Sequence, residues 1–275
     1  MMRKMKVAVQ VYSVRDDAAA DFKGTAAKLK AMGYDALELA GMYDLSAKEI
    51  RAVLDEVGIP AISAHVPYQV LEADLNGTVA DYATIGCKYI AIPYLTEEYR
   101  PGGEKYAETI AFLKQIGKAC ADAGIIMLYH NHDFEFIKLA DGTFGLDDIY
   151  TQIGADLLQT EIDTCWVNVA GECPSAYVRK YTGRAPVVHL KDFFMEGVVE
   201  DKYELIGIEA KKKAAAAGKF EFRPVGHGMQ DMPAICEAAS DAGADWVVVE
   251  QDVSVGRPAM EAVEMSRAFL RTIGL

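Results

Sequence analysis

The sequence predicts an α/β protein that folds as a (β/α)8 TIM barrel with a single domain. Its 275 residues suit one such barrel, and the 51% hydrophobic content is enough to fill one large core. Short apolar runs alternate with segments of helical periodicity along the chain, which is the pattern of βα units around a parallel sheet. We therefore expect one domain over residues 1–275.

Eight segments have the composition of barrel strands, being short apolar runs bounded by polar or glycine-containing segments. The predicted strands are 7–12, 36–39, 61–65, 89–92, 125–129, 157–163, 187–190 and 246–250. Predicted outer helices, with apolar residues at helical spacing, are 22–32, 47–57, 106–123 and 232–242. Each of these helices runs into a glycine typical of a C-cap, at Gly33, Gly58, Gly124 and Gly243.

The alternation of strands and helices breaks between residues 193 and 228. This stretch contains a run of lysines at 211–213 and a run of alanines at 214–217. We interpret it as an excursion that covers the mouth of the barrel. A solvated surface loop without a catalytic role is the alternative, since long insertions after barrel strands are common.

The composition also limits the partners and the compartment of the protein. With 28 Lys and Arg against 41 Asp and Glu, the net charge of −13 repels nucleic-acid phosphates and anionic lipids, so neither partner is expected. No uncharged apolar run approaches the roughly 20 residues that a membrane span needs, and no signal peptide is visible. The five scattered cysteines lack CxxC spacing and favour a reducing, cytoplasmic location.

Polar side chains lie at the C-terminal ends of most predicted strands, where a barrel of this type assembles its site. In chain order they are Gln10, Tyr12, Arg15, Glu38, His65, His130, Asn131, His132, Glu161, Asp163, His189, Lys191, Asp192, Glu250 and Asp252. Four of the five histidines belong to this set, and His227 is the exception. Mixed His, Asp and Glu ligands suit Mn²⁺, Zn²⁺, Co²⁺ or Mg²⁺, so we predict a catalytic divalent metal ion.

Some of these residues point more strongly to a metal site than others. Asp163, His189 and Glu250 each end an apolar strand, where an unpaired charge would be costly to bury, and they are predicted ligands. Other members have structural alternatives. His65 could be a hydrogen-bonded structural histidine, Glu38 could pair with Arg15, and Lys191 could form a salt bridge with Asp192.

Several motifs resemble the sugar phosphate isomerase/epimerase family, the xylose isomerase-like TIM barrels. They are "EIDTCWVNVAGECP" from Glu161, "VVHLKDF" from Val187, "RPVGHGMQD" from Arg223 and "VVVEQD" from Val247. The opening "VQVYSVRDD", "GYDALELAGMY", "AISAHVPY" and "YHNHDFEF" extend the resemblance over nearly the whole chain. The superfamily also contains inosose dehydratase, ketose 3-epimerases, hydroxypyruvate isomerase and an apurinic endonuclease, so the resemblance implies no single reaction.

The resemblance implies a divalent metal ion, with Mn²⁺ expected first, held by four ligands. Mapped onto this sequence they are His130, Asp163, His189 and Glu250. In the family's ketose epimerases the first ligand is a glutamate that works with the strand-eight glutamate on opposite faces of the substrate carbon. This chain has His130 there, which leaves His132 or Glu135 open as alternative first ligands.

We predict a sugar isomerase or epimerase that abstracts a proton next to a carbonyl of a sugar, keto-sugar or cyclitol and passes through an enediolate. The predicted catalytic residues are Glu250, His132 and Lys191. The predicted substrate-binding residues are Arg15, Tyr12, Glu38, His65, Trp166 and His227. The family resemblance also implies a possible homodimer.

Three other functions remain open. A dehydratase or lyase acting on an inosose or a 3-keto-glycoside would share the same enediolate and would expel a β-substituent from it. More remote alternatives are an apurinic endonuclease-like enzyme, against which the net charge of −13 argues, and a non-catalytic sugar-binding barrel.

Overall fold

A computed structural model describes residues 4–197 and 218–275 of the chain. The strands in these ranges are β1 (Lys6–Gln10), β2 (Ala36–Leu39), β3 (Ala61–His65), β4 (Tyr89–Ile92), β5 (Ile126–His130), β6 (Gln159–Asp163), β7 (Val187–Leu190), β8 (Asp192–Glu196), β9 (Lys219–Arg223) and β10 (Trp246–Val249). The α-helices are α1 (Arg15–Ala20), α2 (Phe22–Ala31), α3 (Ala47–Val57), α4 (Tyr68–Ala73), α5 (Leu75–Ile85), α6 (Tyr106–Asp122), α7 (Gly145–Ile153), α8 (Thr164–Val169), α9 (Pro174–Lys180), α10 (Met232–Ala242) and α11 (Ala259–Thr272).

Eight of these strands close into a parallel barrel. Strands β1 to β7 follow one another in chain order, and β10 completes the circle between β7 and β1. The predicted eight-stranded α/β barrel is therefore confirmed. Strands β8 and β9 form a separate antiparallel pair.

Four barrel strands, β2, β3, β4 and β7, have the predicted bounds, and the ends of the other four differ from the prediction by one or two residues. Local hydrogen bonding explains the early end of β1. β1 ends at Gln10, because the Gln10 side chain accepts a hydrogen bond from the Tyr12 backbone N–H at 2.8 Å and residues 11–14 turn into a 3-10 helix. β10 ends at Val249, so Glu250 opens the following loop instead of closing the strand. Both changes leave Gln10 and Glu250 at the rim of the barrel.

The four predicted outer helices are present as α2, α3, α6 and α10. Helix α3 shows how local sequence sets the boundaries: Ser46 and Glu49 form a reciprocal capping box at its N-terminus. At its C-terminus, Gly58 adopts a left-handed conformation with φ of 74°, which a side chain would disfavour. Gly33, Gly124 and Gly243 also have positive φ, as their predicted C-cap positions require.

The barrel interior is apolar further back along the strands and polar at their C-terminal ends. Ala8, Leu128, Val187 and Val248 belong to a buried cluster inside the sheet. Two residues further along each strand, and therefore on the same face, lie Gln10, His130, His189 and Glu250. The change from apolar to polar side chains thus occurs in one layer, and it places the polar groups at the C-terminal mouth.

The predicted excursion at 193–228 is partly described. Its two ends form the β8–β9 hairpin, in which Phe220 and Phe222 pack near the Trp166 ring. The Asp192 carboxylate accepts backbone N–H bonds from Gly226 and Gly228 at 3.0 and 2.9 Å and so joins the two ends. The lysine and alanine runs at 211–217 lie outside the described residues, so the interpretation that they cover the mouth stays a prediction.

Two sequence expectations about the molecule's environment can be compared with the described ranges. None of the helices there is long and apolar enough to cross a membrane. All five cysteines are free thiols, with Cys173 exposed and the other four buried.

Candidate metal centre and active site

The four predicted metal ligands meet at the C-terminal mouth of the barrel. His130 ends β5, Asp163 ends β6, His189 lies in β7 and Glu250 follows β10. One ligand atom from each lies within 4.8 Å of the others, and all four side chains are buried. We call these four residues the outer cluster.

Distances within the outer cluster fit a bound cation. The His130 Nε2 atom lies 3.6 Å from Asp163 Oδ2 and 3.9 Å from Glu250 Oε2. His189 Nδ1 lies 3.1 Å from Glu250 Oε2. A divalent ion about 2.1 Å from each ligand would hold the ligand atoms roughly 3–4 Å apart, which is the spacing observed here.

Asp163 gives a second sign that the outer cluster suits a cation. Its Oδ1 atom accepts the backbone N–H groups of Cys165 and Trp166, at 2.8 and 3.1 Å, and caps helix α8. Its Oδ2 atom is buried and accepts no regular hydrogen bond from the described part of the chain, although the Lys191 ammonium group lies 3.3 Å away. A buried carboxylate is costly unless positive charge faces it, and this oxygen can accept a metal ion beside the lysine. Two imidazoles and two carboxylates can therefore hold a divalent metal ion here.

Lys191 brings a positive charge to the edge of the outer cluster. Its Nζ atom lies 2.9 Å from Glu250 Oε2, 3.0 Å from Asp252 Oδ2 and 3.3 Å from Asp163 Oδ2. Burial alone would lower the pKa of Lys191, but the carboxylates of Asp252, Glu250 and Asp163 hold its pKa well above the usual value. The side chain is therefore a buried ammonium ion.

The two acidic residues after β10 differ in charge state. Burial raises the pKa of Asp252 to about 7, although Lys191 acts to lower it. Burial also acts to raise the pKa of Glu250, but Lys191 and His189 hold that pKa well below its ordinary range. Glu250 is thus an ionised carboxylate beside an ammonium group.

A second layer of polar side chains lies beneath the outer cluster. We call Glu38, His65 and Glu161 the inner layer. The His65 Nε2 atom lies 2.8 Å from Glu161 Oε2 and 3.2 Å from Glu38 Oε2. Gln10 donates a hydrogen bond from Nε2 to Glu38 Oε2 at 2.9 Å. The mouth of the barrel therefore holds a continuous buried polar network.

Charges in the inner layer are set by burial and by the neighbouring imidazoles. Burial, reinforced by the Glu161 charge, raises the pKa of Glu38. For Glu161 burial acts in the same direction, but His189 and His65 hold its pKa well below normal. Glu161 is therefore the ionised member. Glu161 lies two residues before Asp163 and therefore on the same face of β6. From this spacing a role for Glu161 at the site could have been predicted.

A cavity of about 560 Å³ opens beside the outer cluster, a size suited to a small organic molecule. Six acid–base side chains line it, namely His65, His130, His132, Lys191, Glu250 and Asp252. The other lining residues are mostly apolar or aromatic and include Tyr12, Met42, Val66, Pro67, Val70, Tyr82, Pro93 and Tyr94. A substrate in this cavity would contact both the acid–base groups and apolar side chains.

Among the predicted substrate-binding residues, Tyr12 and His65 line the cavity. Arg15 supports this wall from behind. Its guanidinium group lies 4.3 Å from the Tyr12 ring centre and donates a hydrogen bond to the Asp252 carbonyl at 2.7 Å. Arg15 thus links the loop after β1 to the loop after β10.

The other three predicted substrate-binding residues lie away from the cavity surface. Glu38 is fully buried in the inner layer. Trp166 is fully buried beside the β8–β9 hairpin, because its large apolar ring packs with Phe220 and Phe222. His227 is exposed on the loop after β9, where its ring lies 6.4 Å from that of Phe269 in helix α11. The structure therefore does not bring these three to the cavity wall.

The loop after β5 carries His132 to the cavity and directs Glu135 elsewhere. Burial lowers the pKa of His132 well below its usual value, with further lowering by His130 and Lys191. Glu135 accepts hydrogen bonds from the Tyr129 hydroxyl at 2.6 Å and from the His132 backbone at 2.8 Å. Of the three candidates for the first metal ligand, the structure places His130 in the outer cluster.

Comparisons with known proteins agree with this architecture. The family model described as xylose isomerase-like TIM barrel matches residues 26–273. An inosose dehydratase from Clostridium botulinum is 22% identical over 266 residues, covering 88% of this chain and 87% of that protein.

Solved structures give the same picture of the fold. A sugar phosphate isomerase/epimerase from Parabacteroides distasonis superposes with a TM-score of 0.75 at 21% identity, covering 98% of this chain and 94% of the other. An IOLI protein with a bound zinc atom superposes with a TM-score of 0.67 at 14% identity, covering 98% of each chain.

Proposed function

Because the chain belongs to the xylose isomerase-like TIM barrel family, we propose that it is a metal-dependent dehydratase that eliminates water from a hydroxy-ketone of a sugar or cyclitol. The observation that carries this proposal is the contact between Lys191 Nζ and Glu250 Oε2, at 2.9 Å, beside the cavity. It places a base and a hydrogen-bond donor next to each other, as an elimination requires.

The chemistry of the two residues accounts for the whole reaction. The Glu250 carboxylate takes the proton from the carbon next to the carbonyl, and the electron pair forms a carbon–carbon double bond. The β-hydroxyl leaves with a proton from the Lys191 ammonium group, so that water is released. The proton on Glu250 then returns to Lys191 across their direct contact, which restores both groups.

A divalent ion held by the outer cluster would supply positive charge that stabilises the negative charge developing on the carbonyl oxygen. We propose Mn²⁺ first, with Zn²⁺, Co²⁺ and Mg²⁺ as alternatives, because a mixed nitrogen and oxygen ligand set accepts all four. The IOLI protein, which has the same fold, binds a zinc atom, and this supports a metal ion in the present protein without identifying the native ion.

The family relatives also support elimination over epimerisation. Curated relatives over most of the chain are inosose dehydratases, at 21–23% identity. An epimerase of this family would place a carboxylate at the end of β5 to oppose Glu250. That position is His130, whose Nδ1 atom lies 3.3 Å from Glu161 and whose Nε2 atom faces Asp163 and Glu250. The second base of an epimerase is therefore not supplied at this position.

The second candidate is the isomerase predicted from the sequence. Isomerisation needs one base that returns the proton to the neighbouring carbon, and Glu250 alone could do this. The neutral His132 imidazole also lines the cavity and could assist the transfer. The two candidates share proton abstraction and differ in whether the β-hydroxyl leaves.

Incubation with inososes and ketohexoses in D₂O, after loading the protein with Mn²⁺, tests the proposal. We expect a product that has lost one water and shows the ultraviolet absorption of a conjugated enol or enone. A deuterated isomer without loss of water would overturn the dehydratase in favour of the isomerase. Neither exchange nor product with any of the four ions would contradict both.

A further inference from the structure

His130 and His189 each connect the outer cluster to the inner layer. For His130, Nε2 faces Asp163 at 3.6 Å and Nδ1 faces Glu161 at 3.3 Å. For His189, Nδ1 contacts Glu250 at 3.1 Å. Its Nε2 atom lies 2.8 Å from Glu38 and 3.4 Å from Glu161. Both rings therefore have one nitrogen in each layer.

The two nitrogens of one ring cannot both bind a cation. A neutral imidazole has one lone pair for a ligand and one N–H group that must be donated. If the outer cluster holds the metal ion, His130 ligates through Nε2 and His189 through Nδ1. Their inward nitrogens, His130 Nδ1 and His189 Nε2, then carry the protons.

These inward N–H groups are buried and need acceptors. Neither atom makes a regular hydrogen bond within residues 4–197 and 218–275. The Glu161 carboxylate lies within 4 Å of both nitrogens, and the Glu38 carboxylate lies within 4 Å of His189 Nε2. A metal-ligating histidine commonly donates its other N–H to a carboxylate, which fixes the tautomer and the ring orientation.

We propose that Glu161 is the positioning residue of the metal site, accepting the inward N–H groups of both His130 and His189. Its Oε2 atom lies 3.3 and 3.4 Å from these two nitrogens and also receives a hydrogen bond from His65 at 2.8 Å. Glu38 Oε2 lies nearer to His189 Nε2, at 2.8 Å, so the inward N–H of His189 is shared between Glu38 and Glu161, whereas that of His130 faces Glu161. The inference rests on the metal site of the proposed function and is independent of the reaction.

This role explains why the chain buries a carboxylate at the centre of the barrel. Glu161 is fully buried, and an ionised group there is expensive unless several donors surround it. Three imidazole nitrogens lie within 3.4 Å of its Oε2 atom. The cost of burial is thereby offset by contacts that orient two of the metal ligands.

Metal affinity and coordination provide the test. Titration with Co²⁺ gives the dissociation constant together with the visible spectrum of the ligand set. Glu161→Gln should bind Co²⁺ about 10–100-fold more weakly with an unchanged spectrum, because the ligands remain but lose their orientation. Asp163→Asn should alter the spectrum itself. Glu135→Gln, a matched change at a buried glutamate outside both layers, should bind like the wild type.

Imidazole ¹⁵N NMR of the Zn²⁺-loaded wild-type protein tests the same inference without any variant. We expect protonation at Nδ1 of His130 and at Nε2 of His189. Protonation at the opposite nitrogens, or an altered Co²⁺ spectrum in Glu161→Gln with a normal one in Asp163→Asn, would overturn the inference. Either result would place the cation among His65, His130, Glu161 and His189 instead.

Two further outcomes are also decisive. A Glu161→Gln variant with wild-type affinity would overturn the positioning role while leaving the proposed metal site intact. A wild-type protein that binds no divalent ion would overturn the metal site and the inference together.

Discussion

Lys191 should act in the chemical step at the barrel mouth and should not act as a ligand of the metal ion. It contacts two members of the outer cluster, yet as an ammonium group it cannot ligate a metal ion. Its contribution should therefore appear in the chemical step. Replacing Lys191 with a neutral side chain of similar length separates its effect on metal binding from its effect on the chemical step.

We expect Lys191→Met to lower kcat by about 10²–10⁴-fold, the usual loss when a general acid is removed. Its Mn²⁺ dissociation constant should stay equal or fall, because a positive charge next to the cation has been removed. Steady-state kinetics and metal titration would measure the two effects. Lys88→Met, at an exposed lysine that pairs with Asp245, is the control. Weaker Mn²⁺ binding with unchanged kcat would contradict the assignment.

Glu135 allows a prediction about pH. Burial raises its pKa to about 8 from an ordinary value of 4.5. The folded protein therefore holds this proton more tightly than the unfolded chain, and the stabilisation is complete below pH 4.5 and is lost as pH rises to about 8. At higher pH the loss is at most about 5 kcal/mol.

Glu135→Gln removes this titration. The stability of the variant relative to wild type should increase between pH 5 and pH 9, as followed by urea unfolding. Glu56→Gln, at an exposed glutamate, should show no such trend. A difference between Glu135→Gln and wild type that stays constant with pH would show that Glu135 is already ionised in the folded protein.

The roles of single residues were harder to predict from the sequence than their positions. The strand-end pattern led to Asp163, His189 and Glu250, because parallel strands must gather their C-terminal ends at one mouth, and the family resemblance added His130. It did not separate Glu161 and Glu38 from the outer cluster, since depth within a barrel depends on the register between strands. Trp166 was assigned to the substrate because aromatic rings suit both stacking and packing.

Among the structural elements, the β8–β9 hairpin includes a close backbone contact that only glycine permits. A Cβ atom on Gly228 would lie 2.2 Å from Asp192 Oδ1 and 2.5 Å from the Phe193 carbonyl oxygen. The backbone oxygen cannot move aside without disturbing β8. Glycine is therefore required at this position.

Gly228→Ala should destabilise the protein by about 1–3 kcal/mol in urea unfolding, as overpacking against backbone does. It should also shift the fluorescence of Trp166, which packs beside the hairpin. Gly77→Ala is the control for the fluorescence, since its added Cβ would displace the Asp74 carboxylate that caps helix α5; it should cost stability without shifting the emission of Trp166. Equal stability and emission in Gly228→Ala and wild type would be inconsistent with the structure of this hairpin.

The barrel elements were predictable and the hairpin was not. Each barrel strand is a buried apolar run followed by polar residues, and few folds other than a parallel sheet covered on both faces bury such runs. The strands of the hairpin, "DFFME" and "KFEFR", lie more than twenty residues apart in sequence. Their pairing depends on the tie between Asp192 and the returning chain, which no local pattern reveals.

For the whole molecule, the main feature is the group of ionisable side chains buried at the barrel mouth. Together with Lys191 and several imidazoles, five carboxyl groups lie there, namely those of Glu38, Glu161, Asp163, Glu250 and Asp252. Buried carboxylates destabilise the fold unless protons or cations balance them.

Removal of divalent ions with EDTA should therefore lower the melting temperature, and Mn²⁺ should restore it. At a free Mn²⁺ concentration of 100 times the dissociation constant, binding should add about 2.7 kcal/mol to the free energy of unfolding. Differential scanning calorimetry would measure the shift, and Asp163→Asn should largely abolish it. Equal melting temperatures with EDTA and with excess Mn²⁺ would argue that protons alone balance the charge.

The cytoplasmic location and the homodimer stay predictions of the sequence.

The Asp192 tie has a consequence for how this protein could diversify. One carboxylate fastens the start of β8 to the loop after β9 through two backbone N–H groups. His189 and Lys191 precede Asp192 in the chain, so sequence changes in β8 and β9 need not displace them. The hairpin could therefore vary during evolution while the reactive groups at the ends of β7 and β10 stay in place.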